Sequence, residues 1–399
     1  MEKENTKIMK TRKVRIYPNN EQKILFNKCL GVHRYFYNKG NAFLKEASPE
    51  EFKKHLSLPS IRKKVLKSDS DLLEEEQWQK EVPYDTRQLA LKQLITSYKT
   101  SLTLKKKGLI KSFNIQYLKK KSPRQVFYID KNALKVNDNG LLSIFPRRLK
   151  DKRKIRNRKR DRKKLKNYLD GNIQCDTIIQ KQACGKWYIC IPKEETKPIY
   201  EEASYKSVFL DPGVRTFQTF YSPEGLCGKI GDDYSINYIA PLLEKYDLMK
   251  SLGKKRKCSL LITKTRNVID DLHRKTSKFL VDSFESIIIP PFETQQMVMI
   301  PKTTRRKINS KVARNMMALA HYRFQQCLLY QAKKYGRKVI SMEESYTSKT
   351  CGCCGKLNDK LGSSKVFKCS ICLMEADRDL HAARNLCLKT LAGSMVHGP

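Results

Sequence analysis

The 399-residue sequence predicts an α/β protein with a strand-rich region, a helical region and a metal-binding module. Three observations lead to this fold class. Apolar residues recur at helical spacing over residues 21–110, strand-like segments alternate with helical ones after residue 196, and two CxxC pairs lie within residues 351–372. Alternating strands and helices are typical of a mixed sheet with helices on its faces.

The N-terminal region predicts one strand followed by a helical arm. The segment KTRKVRIYPNNEQ alternates apolar and polar residues through Val14 and Ile16, and it turns at residues 18–20. From residue 21 to about residue 110 the period is helical, with a polar interruption at residues 57–70. We therefore expect helices between this strand and the strands that follow.

Residues 111–192 predict a second group of strands. QVFYID, LLSIFP, CDTIIQ and KWYICIP have strand-like patterns and are separated by NDNG and ACGK turns. Among them lies a basic run, RRLKDKRKIRNRKRDRKKLK at residues 147–166, with fourteen cations and two aspartates. A solvated loop would have a similar composition, but this density of cations favours contact with phosphates.

After residue 196 the pattern becomes that of a mixed sheet. SVFLDPG predicts a buried strand that ends in a turn, and TFQTFYS predicts its hairpin partner. We then expect a long helical stretch at residues 239–279, the strand ESIIIPP, a helix at residues 313–335, the strand KVISMEE and a last helix from about Leu380.

The charge of the chain indicates a polyanionic partner. Lys and Arg number 82 against 40 Asp and Glu, and the resulting net charge of +42 makes a compact chain repel itself. Binding a nucleic acid neutralises this charge and releases condensed cations. No apolar run approaches the roughly 18 residues of a membrane-spanning helix, so we expect nucleic acid and no membrane.

The cysteines and the first residues predict a reducing, intracellular compartment. Five of the thirteen cysteines fall between Cys351 and Cys372 and the others are scattered singly, which is unlike a secreted disulfide framework. The opening MEKENTKIMKTRK is polar and charged, so we expect no secretory signal peptide.

The two CxxC pairs predict a structural zinc site. Four thiolates at this spacing suit tetrahedral Zn²⁺, and the expected ligands are Cys351, Cys354, Cys369 and Cys372. Cys353 lies inside the first pair, and we prefer Cys351 with Cys354 because that spacing lets both sulfurs face one ion. A disulfide is the alternative, and the reducing compartment disfavours it.

Three carboxylates are candidates for a second metal site. Asp211 ends a predicted strand, Asp379 follows the zinc ligands, and Glu344 or its neighbour Glu343 follows the strand at residues 338–342. An Asp-Pro-Gly turn and a helix cap are the alternatives for the two aspartates. Brought together, such acids could hold two Mg²⁺ or Mn²⁺ ions about 3.5–4 Å apart for phosphodiester hydrolysis.

Several motifs in this order resemble the TnpB family of transposon-associated RNA-guided nucleases, and most of all its Fanzor branch. They are RKVRIYPNNEQ, GVHRYFYNKG, VPYDTRQLA, LDPGVRTFQTFYSPEG, DLHRKTSKFL, TTRRKINSKVARNM, YTSKTCGCCG and ADRDLHAARN. Each string alone is weak evidence for the family, but in this order they are specific to it and span nearly the whole chain.

The resemblance implies a domain organisation. A wedge-type β-barrel would comprise residues 1–26 and 111–198, with a helical recognition lobe at residues 27–110. A RuvC-like nuclease domain of RNase H-like fold would comprise residues 199–346 and 375–399, interrupted by a zinc ribbon at residues 347–374. A guide RNA and target double-stranded DNA would be the partners of a monomeric protein, which would be nuclear in a eukaryotic host.

In the same family, Asp211 would be the first RuvC acid and Asp379 the last. The middle acid departs from the bacterial pattern, because Pro290 and Pro291 stand where the strand IIIPPF would end in Glu. The Fanzor branch takes this acid from just before YTSKTC, which implies Glu344. Glu343 and Glu344 point to opposite sides of a strand, so only one of them can face the site, and Glu343 is the first alternative. Glu293, which lies beyond the prolines, is the second alternative. His381 stands where many relatives carry Asn.

The leading hypothesis is an RNA-guided, Mg²⁺-dependent DNA endonuclease encoded by a mobile element. A non-catalytic zinc-ribbon protein that binds DNA or RNA and regulates the transposon is the main alternative, and the displaced middle acid favours it. A transposase proper is a third possibility, although the sequence gives no sign of a separate helix-turn-helix module.

Overall fold

The computed structural model describes residues 7–108, 110–137, 139–150, 154–169, 173–196, 202–292, 294–298, 309–342, 346–358, 362 and 364–396. The chain divides into two compact units, Met1–Thr196 (unit 1) and Lys197–Pro399 (unit 2). Among the described residues, no helix is both long and apolar enough to cross a membrane.

Unit 1 combines a sheet with four helices inserted after its first strand. Its described strands and helices are β1 (Lys7–Tyr17), α1 (Asn20–Glu46), α2 (Pro49–His55), α3 (Leu58–Val65), α4 (Tyr84–Lys106), β2 (Arg124–Ile129), β3 (Leu134–Val136), β4 (Leu142–Ile144), α5 (Pro146–Leu149), β5 (Lys154–Asn157), α6 (Lys159–Leu169), β6 (Thr177–Gln182) and β7 (Trp187–Thr196). The predicted first strand, helical arm and later strands are thus present.

The sheet of unit 1 is open rather than a closed barrel. Its seven described strands have the order β2-β6-β7-β1-β5-β4-β3, so the first strand lies at the centre, between β7 and β5. A barrel closes only when its outermost strands pair with each other. No pairing of β2 with β3 occurs among the described residues, so the expected β-barrel is not found.

Local sequence explains where the elements of unit 1 begin. Asn19 caps the start of α1. Its side chain accepts a hydrogen bond from the Gln22 backbone N–H at 2.8 Å, and its own backbone N–H donates to the Gln22 side-chain oxygen at 3.0 Å. The predicted interruption at residues 57–70 is partly wrong, because α3 lies within it. Pro59 falls in the first turn of α3, where a helix tolerates proline.

The basic run at residues 147–166 is also more structured than a loop. It contains α5, β5 and most of α6, and it buries Ile155 and Leu165 in the core of unit 1. Cations of the run stay at the surface, among them Arg156, Arg158, Lys159, Arg160, Lys163 and Lys166. The apolar residues of the run therefore pack in the core of unit 1, and its cations form a basic surface.

Unit 2 is built around a second sheet. Its described elements are β8 (Tyr205–Pro212), β9 (Gln218–Tyr221), β10 (Cys227–Ile230), α7 (Ala240–Ser251), α8 (Lys255–Ser283), β11 (Phe284–Ile289), α9 (Thr294–Val298), α10 (Ser310–Leu319), α11 (His321–Tyr335), β12 (Lys338–Ser341), β13 (Val366–Lys368), β14 (Glu375–Asp377) and α12 (Arg378–Val396). Five described strands have the order β10-β9-β8-β11-β12. Strands β8, β9 and β10 pair antiparallel, whereas β11 and β12 run parallel to β8.

Both faces of this sheet are covered by helices. Val208 and Leu210 of β8 pack in a core with α8 and α11, whereas Phe209 packs against Leu386 and Cys387 of α12 on the opposite face. The predicted helix at residues 313–335 is in fact two helices. Ala320 breaks it with a φ of 52°, and the buried His273 lies 2.8 Å from the adjoining Leu319 carbonyl.

Candidate active site and cysteine cluster

Strand β8 presents Asp211 to the face of the sheet that α12 covers. Side chains alternate along a strand, so Asp211 lies on the same face as Phe209, two residues earlier. Phe209 packs against Leu386 and Cys387. The half-buried Asp211 therefore lies at the carboxyl end of its strand, on the face occupied by α12.

Two aspartates lie at the start of α12, and they have different roles. The carboxylate of Asp377 caps the helix, because it accepts hydrogen bonds from the backbone N–H groups of Asp379 and Leu380, both at 3.1 Å. Asp379 is therefore not the cap, which was the alternative for it. It precedes the buried Ala383 and Cys387 by four and eight positions, so it lies on the helix face that packs on the sheet.

A cross-strand row connects these two places. Asp211 is opposite Thr219 on β9, and Thr219 is opposite Lys229 on β10. Residues directly opposite each other on antiparallel strands point to one face. The Lys229 ammonium in turn donates to the Asp377 carboxylate at 2.7 Å. The row therefore begins at Asp211 and ends at the first turn of α12, which brings Asp211 and Asp379 to one face of the sheet.

Electrostatics make this turn of α12 suitable for a cation. Burial raises the pKa of Asp379, and the charge of Asp377 raises it further, against the opposing charges of Lys229 and Arg378. Burial also acts to raise the pKa of Asp377, but hydrogen bonds from Lys229 and from the backbone of Leu380 outweigh it and the pKa is lowered. A divalent cation would relieve the cost of charging Asp379, and carboxylate oxygens are the donors that Mg²⁺ and Mn²⁺ prefer.

The third predicted acid lies outside the described residues. This holds for Glu344 and for both of its alternatives, Glu343 and Glu293. Within the described part of the chain, only the cysteines form a group of three or more His, Cys, Asp or Glu side chains whose ligand atoms approach one another closely. The described residues thus contribute two acids to the candidate active site.

The four predicted cysteines do meet in space. The sulfurs of Cys351, Cys354, Cys369 and Cys372 all lie within 4.8 Å of one another. Two of the Sγ–Sγ distances are 3.5 Å and 3.6 Å, far longer than the roughly 2.05 Å of a disulfide. They are close to the ~3.8 Å expected between two sulfurs that bind one Zn²⁺ tetrahedrally with Zn–S bonds of about 2.3 Å. The cluster therefore fits Zn²⁺, and the exposed Cys353 stands outside it.

Backbone hydrogen bonds favour the thiolate form of one of the four ligands, Cys369. The cluster joins the loop after Thr350 to the hairpin of β13 and β14. Backbone N–H groups of Cys372 and Ile371 lie against the sulfur of Cys369 and lower its pKa to about 6. Gly355, with a φ of 75°, makes the tight turn after the first pair of ligands.

Comparison with known proteins gives two family matches. A family described as "Cas12f1-like, TNB domain" matches residues 321–386, which include the cysteine cluster and Asp379. One described as "Helix-turn-helix domain" matches residues 8–50. The sequence-based expectation of no helix-turn-helix module disagrees with this match, although in the structure these residues form β1, the single long helix α1 and the start of α2.

The chain is also similar to three relatives over most of its length. It is 26% identical over 97% of its length to "Putative transposase A625R" of Paramecium bursaria Chlorella virus 1, and it covers 88% of that protein. The identity to "TnpB-like protein L770" of Acanthamoeba polyphaga mimivirus is 26%, over 94% of this chain and 72% of the relative. The identity to "Putative RNA-guided DNA endonuclease InsQ" of Escherichia coli (strain K12) is 23%, over 94% of this chain and 90% of the relative.

Proposed function

We propose that this protein, which belongs to the TnpB-like family, is an RNA-guided, divalent-metal-dependent DNA endonuclease encoded by a mobile element. One relative carries the name of an RNA-guided DNA endonuclease, and the net charge of +42 suits two nucleic-acid partners. In this proposal a monomer binds a guide RNA and cuts double-stranded DNA that matches the guide.

The observation that carries the proposal is that two acids lie on the same face of the second sheet. Asp211 ends the central strand β8, and Asp379 lies in the first turn of α12, where the row from Asp211 to Lys229 also ends. The three antiparallel strands followed by two parallel ones form the mixed sheet that the sequence predicts for the nuclease domain.

In the proposed site, Asp211 and Asp379 hold the catalytic Mg²⁺ or Mn²⁺ together with Glu344, for which Glu343 and Glu293 are alternatives. The bound metal would activate a water molecule and stabilise the leaving 3′ oxygen. Asp377 orients Asp379 by capping α12, and Lys229 neutralises the cap. The four clustered cysteines hold a structural Zn²⁺, separate from the catalytic metal.

The test is cleavage of a matched duplex by the protein purified with its cellular RNA, whose sequence also reveals the guide. Asp211→Ala and Asp379→Ala should each lower the rate by more than the 10–100-fold that is typical for loss of an outer-shell partner. Guide RNA binding should be unchanged. Asp271→Asn on the exposed side of α8 is the matched control. Normal cutting by either active-site variant would refute the assignment.

A second candidate function is a DNA-binding regulator or transposase without guided cleavage. The helix-turn-helix match at residues 8–50 and the name of the Chlorella virus relative favour it. A divalent-metal titration separates the regulator, because it binds DNA without cutting it at any metal concentration. Removing the co-purified RNA separates the transposase, because its cutting needs no guide.

A further inference from the structure

The first cysteine knuckle is seated directly on α12. Nε2 of His381 lies 2.9 Å from the Thr350 carbonyl oxygen and 3.3 Å from the Gly352 backbone nitrogen. These two residues flank Cys351, the first ligand of the cluster. The His381 ring is buried and stacks on Phe367 of β13 with a centroid distance of 4.4 Å. One side chain of α12 therefore contacts both halves of the cysteine module.

Asn385, one helical turn later, makes the same connection. Its side-chain amide donates to the carbonyls of Thr347 and Thr350 at 2.8 Å and 2.7 Å. Asn385 is only 7% exposed, so these bonds are shielded from water. A Cβ on Gly352 would lie 2.3 Å from the Asn385 amide oxygen, so only glycine allows so close an approach.

The other end of the module is continuous with α12. Asp377 is the last residue of β14, pairs across the hairpin with Val366, and is also the cap of the helix. Asp379 follows two residues later. The helix that carries this acid is thus attached to the cysteine module by a shared cap on one side and by His381 and Asn385 on the other.

We propose that the zinc-loaded cysteine cluster positions Asp379, and that His381 and Asn385 transmit this effect as positioning residues. The ligands fix the first knuckle, and the knuckle fixes the first two turns of α12 against the sheet. Misplacing a catalytic group by about 1 Å can cost roughly 100-fold in rate. The inference rests on the proposed function, because it assigns to the zinc module a role in the carboxylate site.

The test compares four variants of the full-length protein with its guide RNA. His381→Leu removes the polar contacts of the ring, and Asn385→Asp keeps the shape but directs a carboxylate at two carbonyls. His381→Gln places an amide near the position of Nε2, where it can reach the same backbone groups. Leu391→Ala, at an exposed position of α12, is the control. We measure bound zinc, guide RNA, hydrogen exchange of residues 378–387 and the Mg²⁺ dependence of cleavage.

We expect His381→Leu and Asn385→Asp to retain zinc and RNA, to exchange faster over residues 378–387, and to need more Mg²⁺. Their cleavage rate should fall 10–100-fold. His381→Gln should recover most of both effects, and it carries the test if Asn385→Asp does not fold. A merely structural contact would lower the melting temperature without changing the Mg²⁺ requirement.

Wild-type exchange and Mg²⁺ dependence in the zinc-loaded His381→Leu variant would overturn the inference. Full cleavage by a variant that has lost its zinc would overturn it as well. If the wild-type protein does not cut DNA at all, the proposed function fails. Hydrogen exchange of residues 378–387 in the wild-type protein, measured with zinc bound and after its removal, still decides whether zinc loading orders the helix.

Discussion

The two candidate metal sites of unit 2 differ in how their ligands come together. The four cysteines lie within residues 351–372, on two tight turns whose spacing alone indicates a metal site. Asp211 and Asp379 come from a strand and a helix far apart in the chain, and strand register brings them to one face. A local motif can thus be recognised from spacing, whereas a site assembled on a sheet depends on the packing around it.

The largest effect should follow from removing one of the four cysteine ligands. Cys369→Ser should lose all bound zinc and unfold the module, because metal binding supplies folding free energy to small zinc domains. Cys353→Ser, at the exposed cysteine outside the cluster, should retain both. The measurements are zinc content and protease resistance around residues 346–377. Stoichiometric zinc in Cys369→Ser would mean that the four sulfurs are not the ligands.

A smaller effect should follow from replacing Lys229, which lies beside the aspartates of the candidate active site. Lys229→Met removes the hydrogen bond to Asp377 and a charge that opposes the raised pKa of Asp379. That pKa should rise further, so the acidic limb of the pH–rate profile should move to higher pH. We expect a 10–100-fold loss of cleavage at neutral pH.

Lys275→Met is the matched control for Lys229→Met. Lys275 pairs with Asp271 on the exposed surface of α8, where an ion pair contributes little. An unshifted profile in Lys229→Met would show that the row across β8, β9 and β10 does not act on Asp379.

The smallest effect concerns the pH dependence of stability, which we expect from the buried His321 in the core of unit 2. Burial, and then the charge of His273, lowers the pKa of His321 to about 4. An unfolded histidine titrates near 6.5, so between these values the unfolded state binds the extra proton. Unit 2 should therefore lose stability as the pH falls from about 6.5 to 4. His321→Phe should reduce this dependence in urea unfolding, and an unchanged pH slope would exclude His321 as its source.

Much of the fold could be predicted from sequence because its patterns are local. Strand alternation and turns located β2, β4, β6, β7, β8 and β11, and spacing identified the cysteines. Two of the failures within helices and loops have physical reasons. Alanine usually continues a helix, so the left-handed backbone of Ala320 could not be predicted from its residue type. The basic run at residues 147–166 was read by its many cations, although Ile155 and Leu165 within it pack in the core.

The candidate active site could be predicted only in part. Asp211 and Asp379 each follow a recognisable pattern, but the roles of Lys229 and Asp377 could not be predicted. Lys229 is one of many lysines until register aligns it with Asp211. The spacing of Asp377 and Asp379 suits a cap equally at either residue, and only the hydrogen bonds to the first turn of α12 separate them.

Local cleavage of the polypeptide by bound iron is the most direct test of a shared metal site at Asp211 and Asp379. Fe²⁺ replaces Mg²⁺ at carboxylate sites. Added hydrogen peroxide oxidises the bound Fe²⁺ to Fe³⁺ and is itself converted to a hydroxide ion and a hydroxyl radical, which cuts the backbone nearby. Our account predicts two cuts, near residues 211 and 379, both suppressed by excess Mg²⁺ and both lost in Asp211→Ala. A third cut near residue 344 or residue 293 would locate the remaining acid. Cuts near only one of the two aspartates would contradict the account.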